Sequence, residues 1–185
     1  TSLNLFAKDF TDRNIFGWEM PTLWLQSVNS VFIVTLAPVM GALWLSLGNR
    51  NPSSPAKFAW GLLFVGLGYL LLAGGAFLSG PAGARVSPMW LVAVYLLHTF
   101  GELCLSPVGL STVTKLAPAR IAGQMMGVWF LSISVGNYIG GQVAGVFEQL
   151  PLPTLFLTVF STTAAASLIL VLLIKPIRRL MGGVH

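Results

Sequence analysis

FAWGLLFVGLGYLLLAGGAFL, residues 58–78, contains no Asp, Glu, Lys or Arg. About 20 apolar residues in helical conformation cross the hydrocarbon core of a bilayer. A bilayer core offers no water to the backbone, so only helices and closed barrels can span it. Barrel strands alternate apolar and polar residues over about ten positions, and this stretch does not alternate. It predicts a transmembrane helix.

The rest of the chain repeats the pattern. Charge-free runs also cover 20–49, 121–147 and 149–174, and a further one, 86–114, is interrupted only by Glu102. Of the 185 residues, 55% are apolar and 8% charged, and the mean hydropathy is +0.82. A soluble domain of this size has too little interior to hide so much apolar surface. The expectation is an all-α membrane protein with five transmembrane helices at 21–48, 57–80, 88–115, 120–148 and 152–175. Residues 1–20 are read as the end of a preceding helix and an extracytoplasmic loop, and 176–185 as a cytoplasmic tail.

The links are short and rich in Pro, Gly and Ser, as in GNRNPSSPAK (48–57) and KLAPAR (115–120), so successive helices must run antiparallel. Alternate links then share a side. One side collects Arg50, Lys57, Lys115, Arg120, Lys175, Arg178 and Arg179 with no acid. The other has Lys8, Arg13 and Arg85 beside Asp9, Asp12, Glu19 and Glu148. The positive-inside bias assigns the basic side, with the C-terminus, to the cytoplasm. The net charge of +5 is thus a topology signal, and no nucleic-acid partner is expected. An outward start and an odd number of spans suggest the C-terminal half of a larger transporter, whose N-terminal half would be the chain's partner.

Glu102 is the residue that needs explaining. It lies fourteen positions into its helix, roughly 21 Å at 1.5 Å per residue, well inside a core about 30 Å thick. An ionised carboxylate there costs at least about 2.5 kcal/mol. A cation on another helix, a cationic substrate group or a proton must offset that cost. A site alternating among them can take up and release a proton. His98 and Ser106 stand four residues before and after Glu102 and are expected on its face. His98 is either a proton relay or gate, or an interhelical hydrogen-bonding residue. Pro107 leaves the Leu103 carbonyl without its helical donor, a local break next to the acid.

In the first span Gln26, Asn29 and Ser30 share a face, which serves either helix-to-helix hydrogen bonding or a wet cavity. Pro38 frees the Val34 carbonyl and predicts a kink or hinge. In the fourth span glycines recur four apart (123 and 127, 136 and 140, 141 and 145), a spacing that lets helix backbones approach closely. Trp129 lies too deep for the interfacial aromatic belt and either walls a pocket or packs. The lone Cys104 excludes a disulfide within the chain. No nucleophile–base pair, metal-ligand spacing or phosphate loop is present, so neither an enzyme nor a metal or organic cofactor is expected.

QSVN (26–29), LAPVMGALW (36–44), GELCLSPVGLSTVTKLAP (101–118) and GVWFLSISVGNYIGG (127–141) together resemble the C-terminal half of the proton-dependent oligopeptide transporters. These form the POT or PTR family of the major facilitator superfamily. The resemblance implies two six-helix bundles rocking around a central site, this chain forming most of the C-terminal bundle. It implies symport of protons with di- and tripeptides by alternating access, with protons as the coupling ion, in a plasma membrane, here a bacterial inner membrane. Carried over by motif, Glu102 receives the peptide amino terminus and pairs with a lysine of the other bundle. Asn29 contacts the same end of the peptide, with Gln26 one turn away. Ser106 and Trp129 match pocket-lining positions, and Leu103 and Phe130 fall near the inner constriction. Alternatives are a relative carrying nitrate or a glucoside, or a membrane scaffold that transports nothing.

Overall fold

The computed structural model describes residues 2–12, 14–15, 18–79, 85–147 and 151–182. Glu148, His185 and the side chain of Gln26 lie outside what is described. A short helix, α1 (Ser2–Asp9), leads into a two-residue antiparallel pair, β1 (Asn14–Ile15) and β2 (Trp18–Glu19). Five long helices follow: α2 (Thr22–Ser46), α3 (Ser54–Ser79), α4 (Pro88–Leu116), α5 (Ala122–Phe147) and α6 (Leu152–Leu180). In α2, α3, α4 and α6 the described residues are long and apolar enough to cross a membrane. The α5 helix, of 26 residues, carries no charged side chain. The protein is an all-α membrane protein.

Local chemistry sets the helix ends. Ser87 caps α4 by accepting the Met89 amide at 3.3 Å, with Pro88 at the first position, where its missing N–H costs nothing. Gly48, at φ +46°, takes the left-handed conformation just past α2, which side-chain-bearing residues adopt at a cost. Within the spans, hydroxyls turn back on their own helix: Thr35 donates to the Val31 carbonyl and Thr112 to that of Val108, which satisfies them without water.

One difference from the sequence expectation concerns α4, which runs as a continuous helix through Pro107; α2 likewise holds Pro38 inside one continuous helix, where a kink and not a break is expected. A proline removes one intrahelical bond, and the flanking turns keep the rod continuous. The expected break beside Glu102 is therefore absent. In addition, α6 continues past Lys175 and Pro176 to Leu180, so the first part of the expected tail is helical.

The α3 helix is central, packing along both α4 and α6, while α2 packs on α4 and α5 leans more lightly on α4. Two glycines permit the α3–α4 contact. A Cβ on Gly101 would stand 2.9 Å from the Gly61 carbonyl oxygen, and one on Gly61 would stand 3.0 Å from the Gly101 oxygen. The backbones touch there, as small residues allow in membranes. The α6 helix is tied on by the Ser167 hydroxyl, which donates to the Ala59 carbonyl at 2.8 Å. The Trp90 indole donates to the Leu71 carbonyl at 2.7 Å. An apolar cluster around Phe6, Leu72, Leu91 and Phe156 fills one end of the bundle, and Met40, Leu103 and Cys104 form a second cluster. At the first end Val86 exchanges backbone bonds with Phe10 and Asp12, joining the segment after α1 to the approach to α4.

The α5 glycines face open space among the described residues. A Cβ on Gly123, Gly127, Gly136, Gly140, Gly141 or Gly145 would meet nothing described within 4 Å. Their spacing marks a smooth face, against which no helix lies among the described residues. Close approach occurs instead where α3 meets α4.

Candidate functional site

The site forms where α2 crosses α4. Asn29 on α2 donates its side-chain amide to the Glu102 carboxylate at 3.4 Å. Its carbonyl oxygen accepts the Thr99 hydroxyl at 2.7 Å, and that hydroxyl also approaches the Tyr95 carbonyl at 2.8 Å. Thr99 is fully buried and sits three residues before Glu102, on the same side of α4. An amide has two chemically different ends. With the carbonyl end held by Thr99, the N–H end must point at Glu102. The amide occupies one acceptor position of a carboxylate that offers about four, and the rest remain for a cation.

The other residues singled out in the sequence divide. Ser106, one turn beyond Glu102, is exposed as Glu102 is. His98 is buried on the other side, its ring against Gly68 of α3 and 5.0 Å from the Tyr69 ring, with the Val65 backbone as its hydrogen-bonding neighbour and Nε2 unpartnered. The three residues thus do not present one face: His98 belongs to the α3–α4 contact. Trp129 packs its indole where a Cβ on Gly109 would lie, close to Phe58, so it joins α5 to α4 and α3. Leu103 is buried with Met40 and Cys104, whereas Phe130 on α5 is 57% exposed. Pro38 and Pro107 are exposed within continuous helices.

Sequence reasoning missed Thr99, although its position three residues before the intramembrane acid was a usable signal. It also missed the stacking of Lys57 on Trp44, where the ammonium stands 4.5 Å from the ring centroid. Those residues come from different helices, and no spacing rule links them.

The POT family model matches residues 1–159. The chain belongs to the POT family. It is 48% identical over 189 residues to the peptide transporter YePEPT of Yersinia enterocolitica, covering 99% of this chain and 37% of that protein. It is 38% identical over 170 residues to a di-/tripeptide transporter of Lactococcus lactis, covering 92% of this chain and 34% of that protein. Among solved structures it superposes on a mutant of a peptide transporter POT in complex with alafosfalin, at a TM-score of 0.88 and 41% identity, covering 97% of this chain and 36% of that one. The chain thus spans a little over a third of the length of these relatives. Its long helices form most of the C-terminal six-helix bundle of a major facilitator superfamily transporter, a family of transporters and not of enzymes.

Proposed function

We propose that this chain forms the C-terminal wall of the central site in a proton-coupled symporter of di- and tripeptides that works by alternating access. The N-terminal bundle of the same transporter supplies the opposite wall. Glu102 receives the peptide ammonium and, between peptides, a proton or a lysine of the other bundle. Asn29 orients that carboxylate and contacts the same end of the peptide, with Gln26 one turn away. Ser106 lines the pocket, and Trp129 braces the wall from behind. Leu103 and Phe130 contribute to the inner constriction, and Pro38 and Pro107 are positions where α2 and α4 bend during the cycle. The coupling ion is the proton, and no other cofactor takes part. Because the ring of His98 lies on the α3 side, proton coupling is assigned to Glu102 and a packing role to His98.

The observation that carries this reading is the hydrogen bond from Asn29 to Glu102 across two helices. It presents an intramembrane carboxylate, held by a neutral amide, on a surface open among the described residues. Intramembrane acids of this kind mark substrate and proton paths. A carboxylate as the receiving group suits a cationic ammonium better than an anionic solute such as nitrate. The basic links support a cytoplasmic C-terminus with residues 1–20 on the outer side, and the bacterial relatives support a bacterial inner membrane. The test is Glu102→Gln in the full-length transporter in proteoliposomes. Proton-driven dipeptide accumulation is expected to vanish, and accumulation at the unsubstituted level would overturn the assignment.

A further inference from the structure

Where the turn between α2 and α3 meets the last turns of α6, at the basic end of the bundle, lies a partly open cavity of about 830 Å³, within the usual size of small-molecule sites. Arg50 from the turn and Arg178 from α6 both line it, with Asn49, Asn51 and Ser53 beside them. No acid is among its described lining residues. The turn is held by its own backbone. The amides of Arg50 and Asn51 donate to the carbonyls of Leu47 and Gly48 at 2.8 and 3.1 Å, and Gly48 supplies the left-handed φ of +46°. Two guanidiniums on separate elements thus face one space, together with neutral hydrogen-bonding groups. Guanidinium pairs bidentately with phosphate, and a phosphate placed between two of them offsets their mutual repulsion.

The depth of the cavity indicates where that phosphate comes from. Ile174 in its lining is the last residue of the charge-free run 149–174, and Arg178 stands one turn further on, about 6 Å along the helix. The cavity therefore straddles the level at which hydrocarbon gives way to headgroups. Toward the middle of the membrane both flanking helices show apolar side chains. Val171 shares a stripe of α6 with Ile174 and Arg178 and is 49% exposed. Trp60, one turn deeper in α3 than Ala56 of the lining, is 51% exposed. A half-exposed tryptophan at this level suits a membrane interface. A soluble anion would use the arginines alone, whereas a phospholipid also covers Trp60 and Val171. We infer that the cavity holds the phosphate of an anionic phospholipid between Arg50 and Arg178, in the leaflet on the basic side of the chain, with the start of an acyl chain against Trp60 and Val171. The headgroup bridges the α2–α3 turn to the end of α6. Because only the folded bundle brings the two arginines to one cavity, the lipid stabilises the fold.

The experiment uses the full-length transporter in mixed micelles of neutral detergent and phosphatidylcholine, titrated with phosphatidylglycerol. Bound lipid is counted by native mass spectrometry, and stability is read as the thermal midpoint. Arg50→Gln, Arg178→Gln and the double variant are compared with Arg179→Gln, whose residue shares the last turn of α6 but lies outside the lining. The half-saturating phosphatidylglycerol concentration is expected to rise about five-fold for either single variant and about thirty-fold for the double. The gain in midpoint that the lipid gives the unsubstituted protein should vanish in the double variant. Arg179→Gln should bind the lipid as the unsubstituted protein does, and replacing both lining arginines by lysine should keep most of the binding. Both arginines are exposed, so the variants should melt together in phosphatidylcholine alone; the lipid count on folded protein decides even for a variant that melts earlier. A double variant that keeps its lipid would overturn the inference. So would equal losses for Arg179→Gln and Arg178→Gln, which would show diffuse attraction to the basic face. Protection by inorganic phosphate as large as that by the lipid would assign the cavity to a soluble anion and overturn it as well.

Discussion

Asn29 and Glu102, 73 positions apart in the chain, meet through one hydrogen bond of 3.4 Å from amide to carboxylate. Its direction is enforced from behind, since Thr99 holds the carbonyl end of the same amide at 2.7 Å. The carboxylate is positioned by a neutral group, which leaves its other acceptor positions to a ligand. A cationic partner in the same place would compete with the ligand.

Thr99→Val keeps the shape of the side chain and removes the hydroxyl, freeing the Asn29 amide to turn. One such bond contributes about 1 kcal/mol, which corresponds to roughly five-fold in affinity. Dipeptide KM is expected to rise by that factor, with Asn29→Ala costing more. The double variant should cost no more than Asn29→Ala alone, because both changes act through one amide. Additive losses in uptake assays would show that Thr99 acts independently of Asn29.

Gly109→Ala puts a methyl group where the Trp129 indole lies. Overpacking of this kind costs about 1–3 kcal/mol, so the detergent-solubilised transporter should melt several degrees lower. Combining it with Trp129→Leu, which vacates the space, should recover part of the loss relative to Gly109→Ala alone. A Gly109→Ala protein with unchanged thermal midpoint would mean that the indole rests elsewhere.

His98→Asn is expected to lower the thermal midpoint, because the ring fills the space beside Gly68 and Tyr69 and its truncation leaves a gap. Proton-driven accumulation, scaled to the amount of folded protein, should persist. Accumulation lost while peptide counterflow continues would transfer a proton-carrying role to this imidazole.

Ser167→Ala removes the hydroxyl that links α6 to the Ala59 carbonyl. Interhelical bonds in membranes average about 0.6 kcal/mol. The expected result is a midpoint lower by a degree or two with transport kinetics unaltered. A loss of several degrees would indicate that this bond fastens α6 to α3 far more strongly than such bonds usually do.

The membrane class, the helical state, the number of long helices and the importance of Glu102 were legible in the residues alone. Each follows from a local rule: hydrocarbon thickness sets segment length, the backbone's hydrogen-bond requirement selects helix, and a carboxylate in apolar surroundings must be answered by something. Asn29 was legible as a polar position, and the motifs GELCLSPVGLS and QSVN pointed to the family. Which residues answer one another depended on the packing of helices far apart in sequence. Helical periodicity put His98, Glu102 and Ser106 on one stripe, yet a forty-degree step between residues four apart is enough to turn one side chain toward α3 and another toward α2. Glycine spacing drew attention to α5, while the backbone contact formed between Gly61 and Gly101, because close approach requires a small residue on both partners at the same height. The order of α2 beside α4, the Thr99–Asn29–Glu102 relay and the arginine-lined cavity came from tertiary structure alone. Interhelical hydrogen bonds and cation–π contacts act over a few ångströms, and only the packed bundle brings those atoms within that range.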